Sequence, residues 1–403
     1  MLSNRYVRTV ILSRVLLHLG IWIRNYAVLL YVTQITQHNP VYVSWVSVAE
    51  FAPIFLFGLI GGAFADRWQP KRTMVWSDVL SGLSAGAVLL AVTDGGWMAL
   101  LIGTFISACL SQFSQPSAMK LFKQQVPTEQ LQRVMALTQT LVAVFTVLGP
   151  AIGTFIFLQF GIQVSLILTA MLFLGSALIL SSLPRDVKEE QPAKAGGLLR
   201  EITDGLRYIG SNPSLRTLCL TFSAVGLATG IIQPLQIFLV IENLGQDPSV
   251  LQWLVMASGA AMLVGGAVIV AVASTAKPQH LLMLGLLVTA VCTGVIGMST
   301  HMGLTIALLI ISGLVYPCIQ GGIQTLLVRN TEGAYMGRVS GTIMPIFMGM
   351  MVSGMFLSAY LKQSLSLPGV YIASGVLVII GALMLLPIVI QKRSNTEKTN
   401  TAA

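Results

Sequence analysis

The sequence predicts an all-α membrane protein, with twelve transmembrane helices in two six-helix halves. Three observations carry that prediction: the composition, the spacing of the apolar runs, and short motifs that recur half a chain apart. Of the 403 residues, 55% are hydrophobic and only 9% are charged, where an ordinary soluble domain has about 25% charged. Twelve spans of about 20 residues use most of the chain. The longest polar stretch, 184–213, holds no more than a helix and its flanks. A soluble enzyme is excluded, and the function is expected to sit within the bilayer.

Apolar runs of spanning length lie at about 10–35, 41–65, 73–93, 97–119, 133–158, 163–183, 215–241, 250–274, 279–299, 302–328, 338–361 and 369–390. The connections between them alternate in charge. One side holds Arg5 and Arg8, then Arg67, Lys71 and Arg72, then Lys120, Lys123 and Arg133, then the linker, Lys277, Arg329 and Arg338, and finally Lys392, Arg393 and Lys398. The other side holds Lys362 and almost nothing else basic. Basic loops stay in the cytoplasm, so both termini and the linker are expected there. The first run is interrupted by Arg14 and His18 and is followed by no small-residue cleavage site, so it reads as a retained span and not as a signal peptide. The net charge of +9 is dispersed over these loops, which argues against a nucleic-acid partner. Cys109, Cys219, Cys292 and Cys318 stand singly in apolar runs and read as reduced packing residues, with no metal site.

Thr128-Glu129 followed by Arg133-Val134 opens the fifth span, and Thr331-Glu332 followed by Arg338-Val339 opens the eleventh. Pro116 and Pro317 precede these pairs at similar distances. A duplicated six-span unit accounts for the echo and predicts a binding site near the bilayer midplane, between the halves. The expected organisation is a half at 1–183, a linker at 184–213, and a second half with a short polar tail at 214–403. Within the linker, Leu198, Leu199, Ile202, Leu206 and Ile209 recur at helical spacing opposite Arg200, Glu201, Asp204 and Arg207, the pattern of an amphipathic surface helix.

No P-loop, HExxH or nucleophile elbow occurs, so no ATP hydrolysis and no cofactor are expected, and a proton gradient is the expected energy source. Coupling then needs a group that changes charge. An ionisable side chain in mid-span costs roughly 2.5 to 3.5 kcal/mol on insertion scales, so it persists with a partner or a purpose. Arg24, about eleven residues before the outer end of the first span, and Glu50, about nine after the outer start of the second, fall at similar depth within reach of a salt bridge. Two readings stand open: Glu50 is the proton-carrying carboxylate, or the pair holds two helices together. Asp78 and His18 are further coupling candidates, His18 as a relay or as a hydrogen-bonded structural residue.

Arg14 and His18 are one turn apart and Asn25 falls on nearly the same face, a polar stripe that suits a water-filled cavity. Gln112, Gln115, Gln139, Gln233, Gln236, Tyr316, Gln320 and Gln324 are further cavity candidates, able to donate and accept toward a substrate with mixed polar groups. Met344, Met348, Met350 and Met351 offer an adaptable apolar wall or ordinary helix packing. Glycines four apart, such as Gly149 with Gly153 and Gly226 with Gly230, permit close helix approach.

In the second-to-third loop, Gly62, Asp66, Arg67, Lys71 and Arg72 resemble the loop signature of the major facilitator superfamily. The usual glycine after Asp-Arg is replaced by Trp68-Gln69-Pro70, a departure similar to the enterobactin-exporter and macrolide-efflux branch. Ala49-Glu50-Phe51-Ala52-Pro53, Asp204-Gly205-Leu206-Arg207-Tyr208 with Asn212-Pro213 and Leu215-Arg216, and Gly337-Arg338-Val339 resemble that branch as well, so the likeness covers nearly the whole chain. It implies a 6+6 bundle that alternates between inward-open and outward-open states. It also implies a latch in which Asp66 meets the helix start at Gly337 and Arg338, as suits a carboxylate at a helix N-terminus. Gly149-Pro150 with Gly153 resembles the signature of exporters. The fourth-span Arg of many proton-coupled drug exporters is absent, since no Arg lies between Arg72 and Arg133, and this shifts weight to Glu50, Asp78 and the first-span arginines.

The resemblance implies a secondary active transporter of the bacterial cytoplasmic membrane, a proton-coupled antiporter exporting amphipathic small molecules such as macrolides or other drugs. A dedicated catecholate siderophore exporter is the alternative within transport, and a non-transporting membrane sensor or scaffold the alternative outside it. The expected partners are a small-molecule substrate and membrane lipid, with the chain working as a monomer.

Overall fold

The computed structural model describes residues 4–184, 198–272, 277–332 and 335–386, with the backbone alone at 59–67, 128, 198–202 and 270–272. Its chain is helical in long runs whose starts are written in asparagine and proline. Asn4 Oδ1 accepts from Tyr6 N at 2.9 Å ahead of α1 (Arg5–Ile35), and Asn39 Oδ1 accepts from Val41 N at 3.0 Å where α2 (Pro40–Arg67) begins. Asn212 Oδ1 accepts from Ser214 N and Leu215 N ahead of α7 (Pro213–Ile232). Such side chains satisfy amide groups that a helix leaves open. Proline opens α3 (Pro70–Thr93) and α9 (Pro278–Met298) as well, at a position where its fixed φ is suitable and its missing N–H is not needed.

The remaining helices are α4 (Ala99–Gln125), α5 (Thr128–Ser181), α6 (Leu198–Ser211), α8 (Leu251–Val272), α10 (Met302–Asn330) and α11 (Met336–Met384). Among the described residues, nine helical runs are long and apolar enough to cross a membrane. Two of them, α5 and α11, are each a pair of helices meeting at a single non-helical residue: Gly161 (φ 75°, ψ −175°) and Ser366 (φ 61°, ψ 166°). α4, which stands where the fourth span is predicted, is kept out of the nine by its serines and glutamines. The seventh run is less regular than its apolar pattern suggests. After Ile232 it passes through a 3-10 turn at Gln233–Leu235 and a π turn at Leu239–Asn243, with Pro234 interrupting the hydrogen-bond ladder.

The chain forms two compact units, Met1–Ala195 and Gly196–Ala403. Within the first, α1 packs along α5, α2 against α4, and α3 against both α4 and α5. Within the second, α7 packs along α11, α8 against α10, and α9 against both α10 and α11. The two units thus repeat one wiring. In the first, Val7, Val10, Met74, Phe122, Val134 and Leu180 form a buried cluster. In the second, the corresponding cluster gathers Leu215, Leu218, Leu286, Leu326, Val339 and Ala382. The outer surfaces are apolar too: Leu90, Leu178, Val291 and Met298 are all mostly exposed. Helices apolar all round are those of a membrane interior.

Helix α6 carries the amphipathic pattern read in the linker and packs on α11. Gly205 makes the approach possible, since a Cβ there would lie 2.2 Å from Thr342 Oγ1 and 2.7 Å from the Arg338 carbonyl. Tyr208 stacks on Tyr335 with centroids 4.3 Å apart, and Ile209 enters the buried cluster. Residues 185–197 and 387–403, and the side chains of Leu198, Leu199, Arg200, Glu201 and Ile202, lie outside the described residues.

Candidate functional site

Among the described residues, the buried charged side chains are Arg14, Arg24 and Asp78, and all three belong to the first unit. Arg24 does not pair directly with Glu50, as its depth suggests it would. Its Nε and Nη2 donate to Asn25 Oδ1 at 3.1 and 2.9 Å, and Asn25 Nδ2 donates to Glu50 Oε1 at 2.6 Å. The salt bridge read from helix depth is therefore an amide bridge: the asparagine accepts from the cation and donates to the carboxylate. The physical reason is reach, since Asn25 lies between the two groups and both its amide atoms are satisfied there. The other carboxylate oxygen of Glu50 makes no hydrogen bond to a described residue.

Ten residues earlier on α1, Arg14 Nη2 donates to the Ser114 carbonyl at 2.8 Å and contacts its Oγ at 3.2 Å. The cation is thereby tied to α4. Asp78 on α3 is 2% exposed and lies 2.6 Å from Ser176 Oγ on the second limb of α5, whose hydroxyl also lies 3.2 Å from the Ser13 carbonyl. One hydroxyl hydrogen cannot serve both acceptors fully. If Asp78 carries a proton it donates to Ser176, and Ser176 then donates to Ser13, so the protonated form completes the chain. His18, between the two arginines, stacks on Phe145 with centroids 5.7 Å apart instead of hydrogen bonding to a described residue.

The exporter-like glycines set the position of α1. A Cβ on Gly149 would lie 2.4 Å from the Trp22 ring, and one on Gly153 would lie 2.6 Å from the Trp22 carbonyl, so α5 approaches α1 just beside Arg24. In the second unit the matching pair of helices closes the same way, through Gly226 against Phe347 and Gly230 against Met351. Pro150 follows Gly149 inside α5.

The predicted cavity residues divide. Gln112 is partly buried and donates to the Ala108 carbonyl and Ser111 Oγ, while Gln115 and Gln139 are exposed. Gln233 and Gln236 flank the irregular turn that follows α7, both partly buried. Gln320 Nε2 donates to Tyr316 Oη at 3.0 Å, and both, like Gln324, are exposed. Met344 is exposed and Met348 and Met350 partly so, whereas Met351 is buried, with its backbone carbonyl against Gly230.

Of the residues expected to form a latch, Gly62, Asp66 and Arg67 are described by backbone alone. Lys71 Nζ donates to the Ser181 carbonyl at 2.8 Å and to that of Leu183, and Arg72 follows it on α3. Gly337 has open space beside it. Arg338 lies 3.8 Å from Asp204 of α6 and over the Tyr335 ring. The residues that sequence patterns passed over are hydroxyls: Ser13, Ser114, Ser176 and Thr104. Serine and threonine are unremarkable in spans until a neighbouring helix brings them to a charge.

A family model described as transmembrane secretion effector matches residues 1–402. The MFS-type transporter YfiS of Bacillus subtilis is 26% identical, over 95% of this chain and 93% of the relative. The multidrug efflux pump Tap of Mycobacterium tuberculosis is 25% identical, over 82% and 81%. Macrolide efflux protein A of Streptococcus pyogenes is 23% identical, over 88% of each. In fold, the chain is similar to the nucleoside transporter NupG, with a TM-score of 0.78 at 12% identity over 95% of this chain and 99% of that one.

Proposed function

Because this chain belongs to the transmembrane secretion effector family of the major facilitator superfamily, we propose that it is a proton-coupled exporter of amphipathic small molecules in a bacterial cytoplasmic membrane, with both termini in the cytoplasm. The chain is a multi-pass membrane transporter and not an enzyme. One observation supports the coupling: Glu50 meets Arg24 through Asn25. A carboxylate bound to its cation through a neutral amide can take up a proton without breaking an ion pair, and can release it with the cation still near enough to favour the charge. Asp78 is a second proton position, built differently, with the Ser176 hydroxyl as its donor or acceptor.

The resemblance to pumps for several drugs and for macrolides supports drugs of that class as cargo. The two buried arginines favour a narrower reading, a dedicated exporter of anionic catecholate siderophores. Gln112, partly buried within the first unit, is an amide suited to contact such a cargo. Transport into proteoliposomes tests the proposal. A macrolide should accumulate when a pH gradient is imposed and equilibrate when it is collapsed. Accumulation indifferent to the gradient would count against proton coupling, and accumulation of a catecholate alone would select the narrower cargo.

A further inference from the structure

A cavity inside the first unit is lined by Arg24 of α1, Ser81 of α3, and Thr104 and Ser107 of α4, with apolar walls that include Leu166 and Phe173. Arg24 is 5% exposed. The edge of its guanidinium formed by Nε and Nη2 is taken by Asn25, while Nη1 is buried and donates to no described residue. Thr104 Oγ1, on the facing helix, is also buried without a hydrogen-bond partner. Two unmet polar groups at one cavity are an expensive arrangement, because a buried donor without an acceptor costs about 1 to 3 kcal/mol and a charged one more.

The chemistry of the lining selects the guest. A guanidinium N–H can only donate, and the hydroxyls of Thr104, Ser81 and Ser107 can each turn to donate. The rest of the wall is hydrocarbon and offers no acceptor. What is missing is a particle that accepts from all of them and brings negative charge to the free end of Arg24. The space is about that of one water-sized particle, so a single water or small ion is the scale of its guest and a drug-sized molecule does not fit. The geometry points to a binding site for a monatomic halide, chloride in practice, held by Arg24 Nη1 and the Thr104 hydroxyl. This site does not depend on what the transporter exports or on whether protons drive it.

Binding of radiolabelled chloride to the purified full-length protein in lipid nanodiscs, with gluconate keeping the ionic strength constant, tests this directly. The expected result is one saturable class of site that bromide displaces. Thr104→Val keeps the shape and removes the hydroxyl, and should weaken binding roughly tenfold or more, while Thr104→Ser should restore most of it. Arg24→Gln should abolish binding, and if that variant does not fold the Thr104 pair decides alone. Absence of saturable chloride binding in the parent protein, which would leave water as the only occupant, overturns the proposal. So does binding that is unchanged in Thr104→Val.

Discussion

Asn25 Nδ2 lies 2.6 Å from Glu50 Oε1 while the Asn25 carbonyl oxygen receives two N–H groups of Arg24. The amide is the only group among the described residues through which these two charges communicate by hydrogen bonds, so it fixes the carboxylate without neutralising it. Replacing Asn25 with leucine, similar in size and unable to hydrogen bond, should therefore resemble loss of the carboxylate itself. Gradient-driven export in proteoliposomes should fall to background in Asn25→Leu and in Glu50→Gln, with the Gln variant still folded by gel filtration and still binding substrate. Wild-type accumulation by Glu50→Gln would remove Glu50 from the coupling scheme.

Asp78 and Ser176 supply a stability prediction. Ser176→Ala strips a buried carboxylate of its hydroxyl partner, so thermal unfolding in detergent should show a loss of about 2 kcal/mol. Asp78→Asn can still meet Ser176 through its amide and should unfold close to the parent, yet transport with altered pH dependence if Asp78 carries a proton. Equal unfolding of the Ser176→Ala variant and the parent would show that the contact carries no weight.

The residues that break α5 and α11 differ although their backbones agree. Gly161 adopts φ 75° without strain, whereas Ser366 adopts φ 61° with ψ 166°, a region costing a side-chain-bearing residue about 1 to 3 kcal/mol. Ser366→Gly should raise the unfolding midpoint, and Gly161→Ala should lower it by a similar free energy, although a Cβ at Gly161 meets nothing within 4 Å. A Gly161→Ala variant as stable as the parent would contradict the assigned backbone.

Close packing of α1 on α5 predicts unequal effects at two neighbouring glycines. At Gly149 a new Cβ meets a side chain, the Trp22 ring, which can turn aside; at Gly153 it meets the Trp22 carbonyl, which cannot. Gly153→Ala should cost more than Gly149→Ala, about 1 to 3 kcal/mol. Adding Trp22→Leu should rescue Gly149→Ala and not Gly153→Ala, as read by yield of folded protein and by unfolding.

Cargo charge can be predicted from the arginines. With Glu50 tied to Arg24 or protonated, the interior of the first unit is neutral to positive, so neutral macrolides and anionic catecholates meet no repulsion while a lipophilic cation does. Arg24→Ala should lower export of a neutral or anionic substrate, and the parent should handle ethidium-like cations poorly. Vigorous ethidium export that survives Arg24→Ala would refute the assignment.

The course of the chain was legible because it is dictated by solvent: runs such as 73–93 and 279–299 must pair their own backbone groups, and apolar length reports that directly. Asn25 shows where legibility ends. Helix period puts it on the stripe of Arg14 and His18, but whether Arg24 reaches across to the carboxylate or folds back onto its neighbour depends on rotamers and on α2, not on spacing. Ser176 and Thr104 were invisible for a related reason, as each becomes notable only through a contact about 100 or more residues distant in sequence or a cavity that no single helix defines. For His18, spacing leaves a proton relay or a structural residue open, and the structure adds a ring contact with Phe145 that spacing does not show.

Confinement of the buried charges to the first unit has an electrical consequence. A membrane potential does work only on charge that moves through it, about 2.3 kcal/mol per elementary charge per 100 mV. Arg14, Arg24, Asp78 and Glu50 sum to zero when both carboxylates are ionised, and to a single positive charge when one takes a proton. In the second unit the described pair Lys362 and Glu242, at 2.5 Å, cancels internally. Among the described residues, voltage therefore finds its buried charges in the first half, and a neutralising substitution there would change how steeply turnover depends on potential, while apolar substitutions among the described residues of the other half would leave that steepness as it is.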